Sequence, residues 1–524
     1  METKSRLLHD YRFIILLAIV FCGIALRLHC FRGFVGLDDA EYAKLAYQMA
    51  QNGFGVGNYN GPAVFPLRVG IIYPASILFR LFGVTEWSII GYSFFLSIIG
   101  ILIAYICTRY CFGTAAGLVA AAIWAILPLD VENSTYFLPD LPGAFFASTG
   151  LVCILFLIQS KSEKRLALFA GGFLAGITFG ISWLCKETVL YLVPFCVVLC
   201  VIMLKENLGR NGPTWIGIAI GSLGIVLAEM ILYHYLAGDL LFRFNEMERN
   251  YLQLKNGFFT EGSRWGWQLG DSYLRALSKR LLLTGPKTIF LNSYFLFMPL
   301  FGLIASFHAL YWKDRSFFIP ALWLLTVCAM FNFSSSSLSH YTPLALFERY
   351  LYPICLPSVV LTAGLLRRLI SFSGKPFTMM DREKLFWGAM LLIFIILIGG
   401  YQTFRSIRDI GRIRALTSEV RVISNLLKPW ERIYTDPISQ RGLEFFWKYD
   451  ERINIIDFEG MSIKQIPPKS FVLTNRWYAD WLNINAGMWL SDISGYKRPE
   501  FFRNPPPSWK VIWGNDNAKL YHSE

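Results

Sequence analysis

The chain has 524 residues, 55% of them hydrophobic and only 16% charged, whereas a soluble globular chain carries about 25% charged residues. The deficit excludes an ordinary soluble protein and points to repeated apolar spans. The net charge of +13 would raise nucleic acid as a partner of a soluble chain. Here the basic residues sit mostly in short connectors between apolar blocks, so membrane orientation accounts for them and nucleic acid drops out.

The N-terminus carries Lys4, Arg6 and Arg12 ahead of an apolar run from Phe13 to Leu26. No small-x-small cleavage site follows it, so it reads as an uncleaved first span rather than a signal peptide. A span needs about 20 mostly apolar residues. On that rule the predicted spans are 13–29, 87–107, 114–128, 141–158, 166–183, 189–204, 213–236, 287–309, 316–333, 349–366 and 385–404. The expected fold is therefore an α-helical polytopic membrane protein with about eleven transmembrane helices.

With the N-terminus in the cytoplasm, the short inner connectors hold Arg109; Lys161, Lys164 and Arg165; Lys205 and Arg210; Lys313 and Arg315; and the basic cluster from Arg367 to Lys384. The short outer loops 129–140, 184–188 and 334–348 hold one basic residue, Lys186. That asymmetry obeys the positive-inside rule. Two outer loops are long, 30–86 and 237–286, and amphipathic stretches such as Glu41 to Asn52 can lie along the membrane surface.

An odd span count leaves 405–524 outside as a separate unit, with 1–404 forming the membrane domain. In the tail, β-rich runs (Arg432–Thr435, Ile453–Asp457, Phe471–Leu473, Lys510–Trp513) alternate with helical stretches (Gln440–Tyr449, Trp477–Ile484), which predicts a small soluble α/β domain. Its Trp477, Trp481, Trp489, Trp509 and Trp513 suit an aromatic core or membrane anchors better than a glycan-stacking face. The ten cysteines lie in or beside apolar segments and none follows Cys355; no CxxC or Cys/His ligand spacing occurs, so small core residues are the expectation.

Ionisable groups collect on the outer side. Asp38, Asp39 and Glu41 open the first outer loop, Asp130, Glu132 and Asp140 flank the second, Lys186 and Glu187 form the third, and His340, Glu348 and Arg349 lie in the fifth. Charges next to apolar spans tend to line a cavity or pathway. Three carboxylates in four positions can bind a cation or supply a base; the plainer expectation is that Asp38 or Asp39 caps a helix starting at Ala40. Arg68, Lys186 and Arg349 are natural partners of a phosphate, against the simpler readings of a Lys186–Glu187 pair or snorkelling, and of an Arg349 salt bridge with Glu348 or with an outer-loop acid. No Walker loop, GxGxxG after a strand, HExxH or GxSxG occurs.

Four elements in order resemble the GT-C glycosyltransferases of the dolichyl-phosphate-mannose protein mannosyltransferase type, glycosyltransferase family 39, whose bacterial relatives include the lipid A aminoarabinose transferase. They are Arg27 followed by Asp38-Asp39-Ala40-Glu41-Tyr42 and Asn52-Gly53; Phe137-Leu138-Pro139-Asp140-Leu141-Pro142; Gly180 to Thr188, including Lys186; and Glu348-Arg349-Tyr350-Leu351-Tyr352-Pro353. The resemblance covers about residues 1–405, and the family's Asp-Glu pair reads Asp38-Asp39 here. It implies a GT-C-like fold and an inverting transfer of a sugar from a polyprenyl-phosphate donor in the outer leaflet to an acceptor hydroxyl on a lipid, glycan or protein. Asp38 would be the base with Asp39 assisting. Arg68, Lys186 and Arg349 would bind the donor phosphate, supported by Arg27, Glu41, Tyr42, Asp140, His340 and Tyr350. No cofactor is assigned; metal use varies among GT-C enzymes, so a divalent metal is left open. The expected location is a bacterial inner membrane with the tail extracytoplasmic.

Three other readings fit parts of the pattern. A transporter or flippase would often show repeated halves with broken helices at matching positions; no such repeat is seen, and the charges cluster at the outer surface rather than at mid-membrane. A sugar polymerase or ligase would use a lipid-diphosphate donor. A membrane assembly protein would use the tail as an interaction module.

Overall fold

The computed structural model describes residues 2–53, 55, 64–160, 164–258, 278–312, 315–334, 346–370, 379–458, 461–475, 501 and 504–524. Among them, nine helices are long and apolar enough to cross a membrane. A helix that satisfies its own backbone hydrogen bonds is one of the few structures that can do so.

The chain opens with α1 (Glu2–His29), an extended run, then α2 (Asp38–Asn52) and α3 (Val69–Phe82). Next come α4 (Glu86–Phe112), α5 (Thr114–Ala125), α6 (Pro128–Asn133), α7 (Asp140–Gln159) and α8 (Arg165–Cys185). A 3-10 turn, Glu187–Leu192, leads into α9 (Val193–Glu206), α10 (Leu208–Ala237) and α11 (Phe242–Phe258). After the short α12 (Gly285–Phe290) follow α13 (Met298–Trp312), α14 (Arg315–Phe333), a second 3-10 turn at Glu348–Ile354, α15 (Cys355–Ile370) and α16 (Met379–Leu426).

All eleven expected spans are helical, but two fall short of the length. α5 has 12 residues, about 18 Å of helix against a hydrocarbon core of about 30 Å. The 287–309 segment is divided between α12 and α13 by a turn in which Leu296 and Phe297 take left-handed conformations. α3, a 14-residue apolar helix with Pro74 inside it, lies in what the sequence reading treats as outer loop. Its length is below that of a span, which is why the span rule passes over it. The helix at 385–404 continues unbroken to Leu426, where Val420, Ile423 and Leu427 enter the core of the tail.

Small residues set the closest helix pair. On α8, Gly172, Gly176 and Gly180 face α10, whose Gly217 and Gly221 face back. A Cβ at Gly172 would overlap the Thr214 carbonyl, and one at Gly221 the Phe173 carbonyl. Lipid offers no hydrophobic drive to associate, so backbones this close gain their attraction from packing.

The tail is a five-stranded sheet in the order β2-β1-β3-β5-β4, with β1 (Ile433–Thr435), β2 (Ile455–Asp457), β3 (Phe471–Asn475), β4 (Lys510–Gly514) and β5 (Ala518–His522). β1 runs parallel to β2 and β3, while β3–β5 and β5–β4 are antiparallel. α17 (Pro437–Phe446) crosses from β1 to β2, and Asp436 caps it by accepting from the Ile438 and Ser439 amides. Trp477, Trp481, Trp489 and the helical stretch expected at Trp477–Ile484 lie outside the described residues.

α17 docks on the segment between α1 and α3. Phe34 stacks on Phe445 with ring centroids 4.1 Å apart, Arg441 pairs with Glu41 at 2.6 Å, and Lys44 pairs with Glu444 at 3.2 Å. Farther along, Arg421 of α16 pairs with Glu86 at 2.6 Å. These contacts set the tail above the turn that carries Asp38.

Candidate active site

The two adjacent aspartates stand in different surroundings. Asp39 is fully buried, and its carboxylate turns back to accept amide hydrogens from Val35 (2.6 Å), Gly36 (3.3 Å) and Leu37 (2.8 Å). Gly36 makes this possible at a φ of 87°, which a side chain would resist. Burial pushes the Asp39 carboxyl up to about 6, against the three amides that favour its charged form. Neither aspartate caps α2 in the expected way: α2 starts at Asp38, and Leu37 at its N-cap gives no side-chain bond. Asp38 keeps 41% of its side chain exposed and accepts a hydrogen bond from Arg349 at 3.0 Å.

The other two expected cations are held by acids from elsewhere in the chain. Arg68, at the N-cap of α3, meets the Glu187 carboxylate with both nitrogens, Nη2 to Oε1 at 3.1 Å. Lys186 pairs with Asp140 in the first turn of α7, where the helix N-terminus favours an acid. Its Nζ also sits 3.6 Å from the centre of the Tyr350 ring, and Arg349 lies 5.5 Å from the same ring. Tyr350 thus has two cations within cation–π range of its ring. The tight approach that brings Arg68 to Glu187 depends on Gly70, where a Cβ would collide with Cys185.

A second layer supports the first. Arg27 is wholly buried. It donates to Asp130 (2.5 Å), Ser97 (2.6 Å) and the carbonyls of Gly23 (2.9 Å) and Ala125 (3.0 Å). Tyr352, three residues beyond Arg349, donates to the other Asp130 oxygen at 3.0 Å. One carboxylate therefore links α1 and α4 to the turn that bears Arg349. Tyr42 is buried between Phe65 and Phe137, and burial raises its phenol above the usual range. Glu41 faces the tail through Arg441. His340 lies outside the described residues.

Asp38, Arg349, Tyr350, Lys186 and Asp140 thus meet in one place, with Arg68 beside them through the neighbouring Glu187. Asp130 as a support, and the pair Glu229–Arg243, were not among the expected site residues. A signal existed for the pair: Glu229 is a lone carboxylate inside the predicted 213–236 span, where an unpaired charge is costly. Among the described residues, no group of three His, Cys, Asp or Glu stands close enough to hold a metal ion. An apolar groove of about 480 Å³ runs between α8, α9 and α10, lined by Phe179, Trp183, Val189, Val193, Cys196 and Val226 among others. Trp183 and Val189 bracket the segment that carries Lys186 and Glu187.

The arrangement can bind a phosphate, solvate a departing one, and take a proton at Asp38. Comparison with known proteins agrees with the fold. The family described as dolichyl-phosphate-mannose-protein mannosyltransferase matches residues 69–232. The crystal structure of ArnT from Cupriavidus metallidurans bound to undecaprenyl phosphate is similar over 97% of this chain and 97% of that one, at 13% identity and a TM-score of 0.58. The Archaeoglobus fulgidus oligosaccharyltransferase in its apo form is similar over 90% of this chain and 71% of that one, at 15% identity and a TM-score of 0.54. No curated protein matches the chain by sequence. The chain carries the GT-C glycosyltransferase fold throughout, and over residues 69–232 it resembles the dolichyl-phosphate-mannose-protein mannosyltransferases.

Proposed function

We propose that the protein is an integral-membrane glycosyltransferase that moves a sugar from a polyprenyl-phosphate donor to an acceptor hydroxyl. The observation that carries this reading is the half-exposed Asp38 carboxylate held at 3.0 Å by Arg349, with Lys186 and Arg349 both near the Tyr350 ring. ArnT from Cupriavidus metallidurans, of the same fold, holds undecaprenyl phosphate, which supports a lipid phosphate as the leaving group here. The apolar groove beginning at Trp183 is suited to the isoprenoid chain.

In the transfer, the acceptor oxygen attacks the anomeric carbon as Asp38 takes its proton. The bond from that carbon to the phosphate oxygen breaks on the opposite face, so the configuration inverts. The polyprenyl phosphate leaves with the bonding electrons and an added negative charge. Asp38 loses its charge in this step, which releases Arg349 to face the phosphate. Lys186 and Arg68, each held in place by its acid, offer N–H donors where negative charge develops, an electrostatic effect that acts on the transition state.

The asymmetry of basic residues supports a site facing away from the cytoplasm, with the N-terminus inside and the tail outside. The likeness to the aminoarabinose-transferase branch supports a bacterial inner membrane, and the acceptor is a lipid, glycan or protein. The test is sugar transfer in proteoliposomes with a mixed pool of polyprenyl-phosphate sugars and candidate acceptors. Wild-type transfer with an inverted product, lost in both Asp38→Asn and Arg349→Ala, is the expected result. Consumption of lipid-diphosphate donors alone would replace this reading with that of a polymerase or ligase. Lipid translocation without transfer would replace it with that of a flippase.

A further inference from the structure

Outside the groups already given a role, Arg243 is a buried cation with several hydrogen bonds. It lies in the first turn of α11, a largely polar helix, and is only 3% exposed. Its Nη1 donates to Glu229 at 2.5 Å and to the Leu67 carbonyl at 3.1 Å. Its Nη2 donates to the Trp183 carbonyl at 2.7 Å. The guanidinium lies 4.3 Å from the Trp183 ring centre, and the Trp183 indole in turn donates to the second Glu229 oxygen at 2.5 Å.

The two carbonyls are what give this cluster a place in the reaction. Leu67 immediately precedes Arg68. Trp183 stands three residues before Lys186, at the end of α8 where the helix gives way to the extended Lys186. One planar fork thus fixes the two chain segments that carry the pairs Arg68–Glu187 and Lys186–Asp140. If Glu229 needed only a counter-charge, a single bond to it would serve. A fork that also spans both segments holds their separation, and bidentate geometry is what distinguishes Arg from Lys in such a place.

We infer that Arg243 is a positioning residue: it sets the spacing of Arg68 and Lys186 and thereby the affinity of the site for a lipid phosphate. This rests on the proposed use of a polyprenyl-phosphate donor. The same cluster ties the start of α11 to the site's geometry, with Phe244 packed against the Trp183 ring beside it.

The test measures binding of undecaprenyl phosphate to the full-length protein in nanodiscs, with a thermal melt of every variant. Arg243→Lys keeps a charge for Glu229 but cannot hold both carbonyls. It should melt close to wild type yet bind undecaprenyl phosphate about tenfold more weakly, the size expected for the loss of one or two net hydrogen bonds. Arg243→Met with Glu229→Gln removes both charges and should show the same weakening, which decides the matter if the lysine variant folds poorly. In an Arg68→Ala background, Arg243→Lys should cost little more, because the two act as a unit. A merely structural role predicts additive losses that follow the melting temperature. Wild-type affinity in either Arg243 variant overturns the inference and leaves the donor reading standing. Failure of the wild-type protein to bind undecaprenyl phosphate removes both.

Discussion

At the scale of single residues, neighbours in sequence have parted company. Lys186 sits in an extended conformation, φ −161° and ψ 142°, and successive side chains of extended backbone point to opposite sides. Lys186 therefore turns to Asp140 and Glu187 to Arg68, and the adjacent pairing suggested by sequence does not form. Of the two partners open to it, Arg349 takes an acid of the 30–86 segment, Asp38, 311 positions away, while the adjacent Glu348 is exposed. The same divergence separates Asp38 from Asp39. Asp38→Asn should keep the fold and lower transfer about 10²- to 10⁴-fold, the usual contribution of a general base. Asp39→Ala should instead cost roughly 1–3 kcal/mol of stability by leaving buried amides without an acceptor, which a thermal melt will show. Asp39 also carries a pH signature. Its folded value of about 6 stands above its ordinary 3.8, so between those limits the folded state binds more protons than the unfolded one. Stability from this group is present at low pH and is lost as pH rises through about 6. The wild-type melt should fall across that window more steeply than that of Asp39→Asn; equal slopes would contradict this account of Asp39.

At the scale of elements, the long spans were legible because an apolar run of sufficient length has few alternatives in a membrane. What escaped were the short pieces: α3, the 3-10 turns and the break between α12 and α13. These pieces carry or hold the candidate site residues. α3 bears Arg68 at its N-terminus, and the turn at Glu348–Ile354 bears Arg349 and Tyr350. Their lengths are below what a hydropathy window resolves, and their positions follow from contacts distant in sequence. The glycine contact of α8 with α10 is legible only in hindsight, since glycines four apart recur in many apolar helices. It makes a clear prediction. A Cβ at Gly217 would overlap the Phe169 carbonyl, so Gly217→Val must push the two helices apart. Overpacking of this kind costs about 1–3 kcal/mol. Because α8 ends beside Lys186, the variant should lose transfer activity as well as melting temperature, with undecaprenyl phosphate as ligand restoring part of the melting temperature. A variant as stable and active as wild type would show that the close approach is not required.

At the scale of the whole molecule, the tail and the helical domain meet beside the turn that carries Asp38. The α/β character of the tail was legible from its short β-rich runs, but nothing in them indicated where it docks. Docking depends on two ion pairs of opposite sense, Glu41–Arg441 and Lys44–Glu444, and on the Phe34–Phe445 stack. Exposed pairs contribute only about 0–1 kcal/mol each, so the stack and its apolar surroundings supply most of the attraction while the charges set register. Reversing one charge is different from deleting it, since it sets like charges opposite each other. Arg441→Glu should lower transfer several-fold by displacing α17 from α2, one turn beyond Asp38, with little change in undecaprenyl phosphate binding, because Arg68, Lys186 and Arg349 belong to the membrane domain. Glu41→Arg combined with Arg441→Glu restores opposite charges across the same gap and should recover most of the lost transfer. Recovery would tie the defect to docking. A double variant no better than Arg441→Glu alone would mean that Glu41 or Arg441 acts on the substrate itself, moving the acceptor site into the cleft between α2 and α17.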